Sequence, residues 1–313
     1  MRIIDFATIT SLHIAPKTCV QWVSDAFKMK HESFLPPKIS IHPNKNIFIN
    51  TMPCLIPSEK RFGVKVVSRY PERKPSLCGD LMLYDFINGE LLAIMDATWI
   101  TAMRAGAVAA LAINTFRASN VTQYAFMGLG NTARATMLCL LDSNPDKEFD
   151  VKLLAYKGQE KLFMERFSEF SNVHFSIVNS VELLIRDSDV IISCVTAADN
   201  LFALDNCFKE GVLVVPVHTR GFQNCDLFFD KVFADDQGHI QGFKYFNRFK
   251  RLDEFSSVLL NNSEGRISDK ERILSYNIGI ALHDVLFASR IYNMLDITDS
   301  NIKLMSIKEK FWI

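Results

Sequence analysis

From Val121 onward the chain settles into a rhythm that few folds can accommodate. Six short apolar runs, at residues 123–127, 151–156, 173–178, 189–195, 212–217 and 231–234, alternate with helical patterns, clearest at residues 132–141, 159–170 and 181–186. Runs this rich in Val and Ile, without polar alternation, read as strands buried on both faces. Strands joined by helices in this way build β-α-β units, and hence a doubly wound parallel sheet of the α/β class.

The turn after the first run narrows the reading further. Gly128-Leu129-Gly130-Asn131-Thr132-Ala133 lies where strand gives way to helix. In that context Gly128 permits a tight turn, Gly130 lets the backbone approach a diphosphate, and Ala133 keeps helix and strand close. The exposed amides and the positive end of the helix favour phosphate. A Rossmann-type domain holding a nicotinamide dinucleotide through Gly128, Leu129, Gly130, Asn131, Thr132 and Ala133 is expected; a merely structural turn is the alternative. The second run ends Leu154-Ala155-Tyr156-Lys157, with no acid to meet a ribose 2′-hydroxyl. A cation there suits a 2′-phosphate, so NADP is favoured over NAD with Lys157 as its partner, against the plain reading of a solvated loop lysine. Thr196 and His218, each just past a strand end, are placed beside the cofactor.

The 313 residues exceed one ordinary core and suit two domains. Before the alternating region, a helix is expected over residues 17–29, started by Pro16, then strands near 39–41, 47–52, 63–67 and 81–85 in a mostly antiparallel or mixed sheet. Asn88-Gly89, between the apolar runs 81–87 and 91–95, marks a hairpin. Residues 98–116 form an Ala-rich helix, and residues 278–295 an amphipathic one that returns to the N-terminal part. The expected division is a mixed α+β substrate and dimerisation domain from residues 1–118 plus 278–313, with the dinucleotide domain, residues 119–277, inserted.

Charge excludes some partners. Lys plus Arg equals Asp plus Glu at 35 each, so no global field draws in nucleic acid or an anionic membrane, and a small molecule is the expected partner. Residues 243–251 interleave basic and aromatic side chains, read as a surface segment whose rings pack inward. Seven scattered cysteines without C-x-x-C pairs, and no histidines at zinc spacing, imply reduced thiols, no metal and a cytoplasmic protein. No stretch approaches the ~20 apolar residues that a bilayer span requires.

Four segments, in order along nearly the whole chain, resemble the ornithine cyclodeaminase and mu-crystallin family. They are Met52-Pro53 with Gly63-Val64-Lys65-Val66-Val67-Ser68, the helix start Thr98 to Ala107 containing Arg104, the G-x-G turn, and Tyr276-Asn277-Ile278-Gly279-Ile280-Ala281-Leu282-His283-Asp284. The resemblance implies a homodimer with its active site in the cleft between domains. It implies substrate contacts from Met52, Lys65 and Arg104, the last two also catalytic. An arginine fork suits the carboxylate of an amino or imino acid. Where the family usually has an early arginine this chain has Lys38, a charge without bidentate geometry. Cyclodeaminases carry an aspartate shortly after the fifth strand, and Arg220 stands at or next to that place, which puts ornithine cyclisation in doubt. The leading reading is an NAD(P)-dependent oxidoreductase interconverting an imine and an amine on a small amino or imino acid, with Lys65, Arg104 and Arg220 as catalytic candidates. A cyclodeaminase-like ammonia lyase that recycles its NAD, and a mu-crystallin-like NADPH and small-ligand binder, are the alternatives.

Overall fold

The computed structural model describes residues 1–195, 203–217 and 227–295. The chain opens with β1 (Arg2–Ile4), α1 (Phe6–Ser11) and α2 (Pro16–Met29), then β2 (Ile39–Asn44), β3 (Ile47–Ile56), β4 (Arg61–Arg69), β5 (Leu77–Asp85) and β6 (Leu91–Asp96). Local chemistry sets these boundaries. The Asp5 carboxylate accepts from Thr8 N at 2.8 Å at the start of α1, and Pro16 occupies the first turn of α2, where its missing N–H costs nothing. Strands β2 to β6 pair antiparallel with their sequence neighbours, and β1 adds to β6 in parallel. The hairpin expected at Asn88-Gly89 joins β5 to β6. Gly89 adopts φ +75°, and the Asp85 carboxylate accepts from the Ile87 and Asn88 amides inside the turn.

A long helix, α3 (Thr98–Phe116), leads to β7 (Gln123–Met127), α4 (Asn131–Ser143), β8 (Phe149–Leu154), α5 (Gln159–Arg166), β9 (Val173–Val178), α6 (Val181–Ile185) and β10 (Val190–Ser193). Then come β11 (Leu213–Pro216), β12 (Lys231–Ala234), α7 (Gln237–Ile240), β13 (Leu252–Glu254), α8 (Phe255–Leu259), β14 (Ile273–Tyr276) and α9 (Ala281–Met294). The later strands form a parallel sheet in the order β13-β12-β14-β11-β10-β7-β8-β9. From β7 the chain winds outward through β8 and β9, then returns to lay β10 on the other side. The carboxyl ends of β7 and β10 therefore flank the crevice where ligands bind in doubly wound sheets.

All six expected runs are strands of this sheet, and two further strands, β13 and β14, were not anticipated. β14 is four residues long and inserts between β11 and β12, directly before the segment read as helix. That helix begins at Ala281 rather than 278, because residues 277–279 make a turn with Gly279 at φ +94°. Helix α5 stops at Arg166, short of the expected 170.

One expectation needs correcting more substantially. α3 is, by length and composition, apolar enough to cross a bilayer. Here it is a core helix, with Ile100, Ala107, Ala109, Ala110, Ile113 and Phe116 inaccessible to solvent. It packs on α2, α4 and α9, and so lies between the two sheets. A Cβ on Gly106 would come 2.5 Å from the backbone of Ala135 and Thr136, so α3 and α4 touch main chain to main chain. The rings of Phe243, Phe246 and Phe249 pack against the core of the parallel sheet, as anticipated for that segment, with Phe243 edge-on to Tyr276 at 5.1 Å. The six described cysteines are free thiols; Cys225 lies outside the described residues.

Gly106→Ala should force this helix contact apart and lower the unfolding free energy by about 1–3 kcal/mol. Urea denaturation followed by circular dichroism measures the change, and an unaltered midpoint would contradict the backbone contact.

Candidate active site

Alternation along β4 points Gly63, Lys65 and Val67 inward, which puts a lysine where an apolar residue is the rule. Its side chain is wholly inaccessible, and so is that of Asp284 in the first turn of α9. Lys65 Nζ lies 2.7 Å from Asp284 Oδ2, and Arg104 Nε donates to Asp284 Oδ1 at 3.0 Å. Thr101, one helical turn before Arg104, presents Oγ1 at 3.4 Å from Lys65 Nζ. β4, α3 and α9 thus meet in one buried ion triad.

The triad is unevenly balanced, two cations against one carboxylate. Asp284 stays below the ordinary carboxylate range: burial alone would raise it, but Arg104 and Lys65 together outweigh burial. Lys65 is pushed down to about 7, chiefly by burial; Asp284 opposes the shift, and the like charges of Arg104 and Lys38 add to it. The neighbouring His283 drops to about 3 through burial and the charge of Arg104, so it is neutral, edge-on to the Phe27 ring at 4.6 Å.

Lys38 lies close enough to Arg104 and Asp235 to sense both charges. Burial lowers its pKa, the Asp235 carboxylate opposes that, and Arg104 adds to it. Among the described residues, neither the Lys38 ammonium nor the terminal nitrogens of Arg104 have a hydrogen-bond partner. Two cations with unused hydrogen-bond donors thus stand beside the triad, as a candidate place for an anion.

The other half of the site is the turn after β7. Gly128 sits at φ +79°, and a Cβ there would lie 2.6 Å from the Cys194 carbonyl group, at the end of β10. At Gly130 the space a Cβ would fill is open, as a diphosphate against the α4 amides requires. Leu129 and Ala133 are buried, and Ala133 holds α4 against the sheet. A cavity of about 180 Å³ lies between this turn and α3, lined by Gly130, Asn131, Thr132, Cys194, Thr98 and Thr101 among others. Thr101 therefore touches the cavity on one side and Lys65 on the other.

A model of the ornithine cyclodeaminase/mu-crystallin family matches residues 3–298. The chain belongs to this family. It is 30% identical to the nodulation efficiency protein NfeD of Rhizobium meliloti over 83% of this chain and 84% of that protein. It is 23% identical to a Δ1-pyrroline-2-carboxylate reductase of Bacillus cereus, covering 77% and 79% of the two chains. In fold it is similar to the Δ1-pyrroline-2-carboxylate reductase of Thermococcus litoralis, solved in complex with NADH and L-proline. There the TM-score is 0.81 at 22% identity, covering 94% of this chain and 97% of that one.

Of the residues picked from sequence, Lys65, Arg104 and Lys38 converge in this family member, and Met52 stands directly opposite Lys65 in the β3–β4 register, hence on the same face. Lys157 is solvent-exposed just past β8, at φ +51°, with its ammonium 5.2 Å from the centre of the Tyr156 ring. Thr196, His218 and Arg220 lie outside the described residues. Asp284 was visible only as part of a family-like motif, and its role was not drawn. The signal that would have found it is electrostatic: a lysine at an inward strand position needs a buried acid. Glu160, whose carboxylate accepts from Tyr156 N at 2.9 Å, was also missed.

Asp284→Asn should leave two buried cations without a counter-charge and cost about 3–5 kcal/mol of stability. Thermal or chemical denaturation checks this; a loss below 1 kcal/mol would mean that the triad is not held as described.

Proposed function

We propose that this chain is an NAD(P)-dependent reductase acting on the C=N bond of a small imino acid, interconverting it with the amine. The observation that carries the reading is the cavity whose walls are the phosphate-type turn on one side and Thr98, Thr101 and Ala102 of α3 on the other, with Lys65 directly behind Thr101. It brings the place for a dinucleotide to the place for a carboxylate. The pyrroline-2-carboxylate reductases among its relatives support the same chemistry.

Gly128, Leu129, Gly130, Asn131, Thr132 and Ala133 would hold the diphosphate, and the bound dinucleotide supplies hydride equivalents. Reducing C=N also consumes one proton. Lys65 holds one at Nζ, oriented by Asp284 and Thr101, and burial brings that proton's pKa into the range where transfer is easy. Arg104, fixed through Nε, keeps its terminal nitrogens for the substrate carboxylate, with Lys38 as a second charge and Met52 packing beside Lys65. The Lys157 ammonium, exposed past β8, favours NADP over NAD; Glu160, the nearby acid, is engaged with the Tyr156 amide.

Purified protein with Δ1-pyrroline-2-carboxylate and NADPH or NADH should consume reduced nucleotide. The proton donor must be charged, so kcat/KM should be high below about pH 7 and fall as pH rises through it. Lys65→Ala should lose at least about 100-fold in kcat and abolish that limb while leaving nucleotide affinity intact. Turnover by Lys65→Ala at the wild-type rate would sink the assignment, and nucleotide binding without turnover of any imino acid would favour a mu-crystallin-like binder.

We also infer that the chain works as a homodimer. β2 is exposed along its whole length, with Ile39 and Ile41 outward, and an apolar groove of about 410 Å³ beside it is lined by Phe34, Pro36, Pro53, Leu55, Phe62 and Phe86. Two exposed isoleucines beside an apolar groove form a patch that a second copy would cover. Sedimentation should give a species near twice the 35.6 kDa chain mass, and Ile39→Lys with Ile41→Lys should return it to monomer.

A further inference from the structure

We propose that Asp235 is the positioning residue of the carboxylate site, acting on Arg104 through the turn at residues 277–279. The inference rests on the reductase reading and adds to it a residue that touches neither substrate nor dinucleotide.

Asp235 is the first residue past β12, and β14 is the strand beside it, paired in parallel so that Ala234 stands against Tyr276. The two chains leave the sheet together. Asp235 N donates to Tyr276 O at 3.1 Å, and the Asp235 Oδ2 carboxylate oxygen accepts from Gly279 N. These two bonds tie the turn to the strand end on both sides of residues 277 and 278. The Asp235 side chain is inaccessible to solvent, so the bond is sheltered from competing water.

What the tied turn does is visible at Gly279. Its φ of +94° belongs to glycine, and a Cβ built there would lie 2.0 Å from Arg104 Nη1 and 2.9 Å from Cζ and Nη2. The turn is therefore pressed onto the guanidinium, with only a missing side chain making room. Asp284 holds Arg104 through Nε alone, which leaves rotation about that bond to be limited by what lies against the far end of the fork. That limit is Gly279, and what places Gly279 is Asp235.

The remaining oxygen, Asp235 Oδ1, is buried and without a hydrogen-bond partner among the described residues. The Lys30 and Lys38 ammonium groups and the His239 ring, whose pKa burial lowers, all lie near the carboxylate. Lys38 also senses Arg104, so one carboxylate bears on both groups assigned to the substrate anion: on Arg104 by shape, through the turn, and on Lys38 by charge.

Shape and charge predict opposite signs, which makes the proposal testable. Removing a negative charge near a carboxylate site strengthens anion binding, whereas releasing the guanidinium from its fixed orientation weakens it. Asp235→Ala loses both, Asp235→Asn keeps an oxygen that can accept from Gly279 N, and Gly279→Ala removes no charge but puts a methyl group against the Arg104 fork, displacing it directly. Steady-state kinetics with Δ1-pyrroline-2-carboxylate, and dissociation constants for NADPH by fluorescence titration, should be measured on all three in the full chain.

The expected result is a rise in the imino-acid KM of about tenfold or more for Asp235→Ala and Gly279→Ala, with Asp235→Asn within about threefold of wild type. NADPH affinity should stay within about twofold throughout, which also shows that each variant is folded. An unchanged or lowered KM for Asp235→Ala with NADPH affinity retained overturns the proposal, and so does Asp235→Asn matching Asp235→Ala. If a variant fails to bind NADPH, the remaining two decide by the same criteria. Failure of the wild-type protein to bind nucleotide or turn over imino acid defeats the reductase reading itself, a distinct outcome.

Discussion

A lysine on an inward strand position, an arginine on the helix between the sheets and an aspartate on α9 cannot each be buried alone. Isolated, any one of them would cost several kcal/mol to remove from water; Lys65 and Arg104 repel each other and are both tolerated because Asp284 faces them, as Asp284 is because it faces two cations. Asp284 meets Lys65 at 2.7 Å and Arg104 at 3.0 Å, and this pairing ties β4, α3 and α9 into one body. Because two cations share one anion, the centre is left biased toward positive charge. Lys38 at its edge increases that bias. The interaction that anchors α9 also leaves the terminal nitrogens of Arg104 uncovered, which is the basis of the proposed carboxylate site.

The second constraint is close approach of main chain. Gly128 brings the turn after β7 against the end of β10, and Gly106 brings α3 against α4, both at distances that a side chain would forbid. The first contact shapes the turn at the switch in strand order. The second lays the helix carrying Thr101 and Arg104 beside the helix that starts at that turn. With the ion triad on one flank of α3 and the phosphate-type turn on the other, a single helix aligns the two halves of the proposed site. Small residues along α3 are therefore as much a part of the site as its charged ones.

Much of this was legible in the linear chain. Apolar runs gave six of the eight strands of the parallel sheet, since β-branched residues without polar alternation have few other uses. β13 escaped because its three residues, Leu252–Glu254, are mostly charged and carry no apolar run, and β14 because Ile273–Tyr276 merges without a break into a helical-looking segment. At the site, Lys65, Arg104 and Lys38 were readable through the family-like motifs around them. Asp235 and Asp284 gained their meaning only from partners far away in sequence, 44 positions in the bond to Gly279 and 180 in the bond to Arg104.

Period, turn chemistry and motif order, then, are properties of neighbouring residues. They determined a doubly wound α/β sheet, the place of its phosphate-type turn and the cations of the proposed site. Only the tertiary structure decided which charges share a buried counter-ion, which stay open to a ligand, and which backbone segment presses on the Arg104 fork. Those outcomes depend on burial and on distances of a few ångströms between segments that the chain itself keeps far apart, and local sequence holds no measure of either.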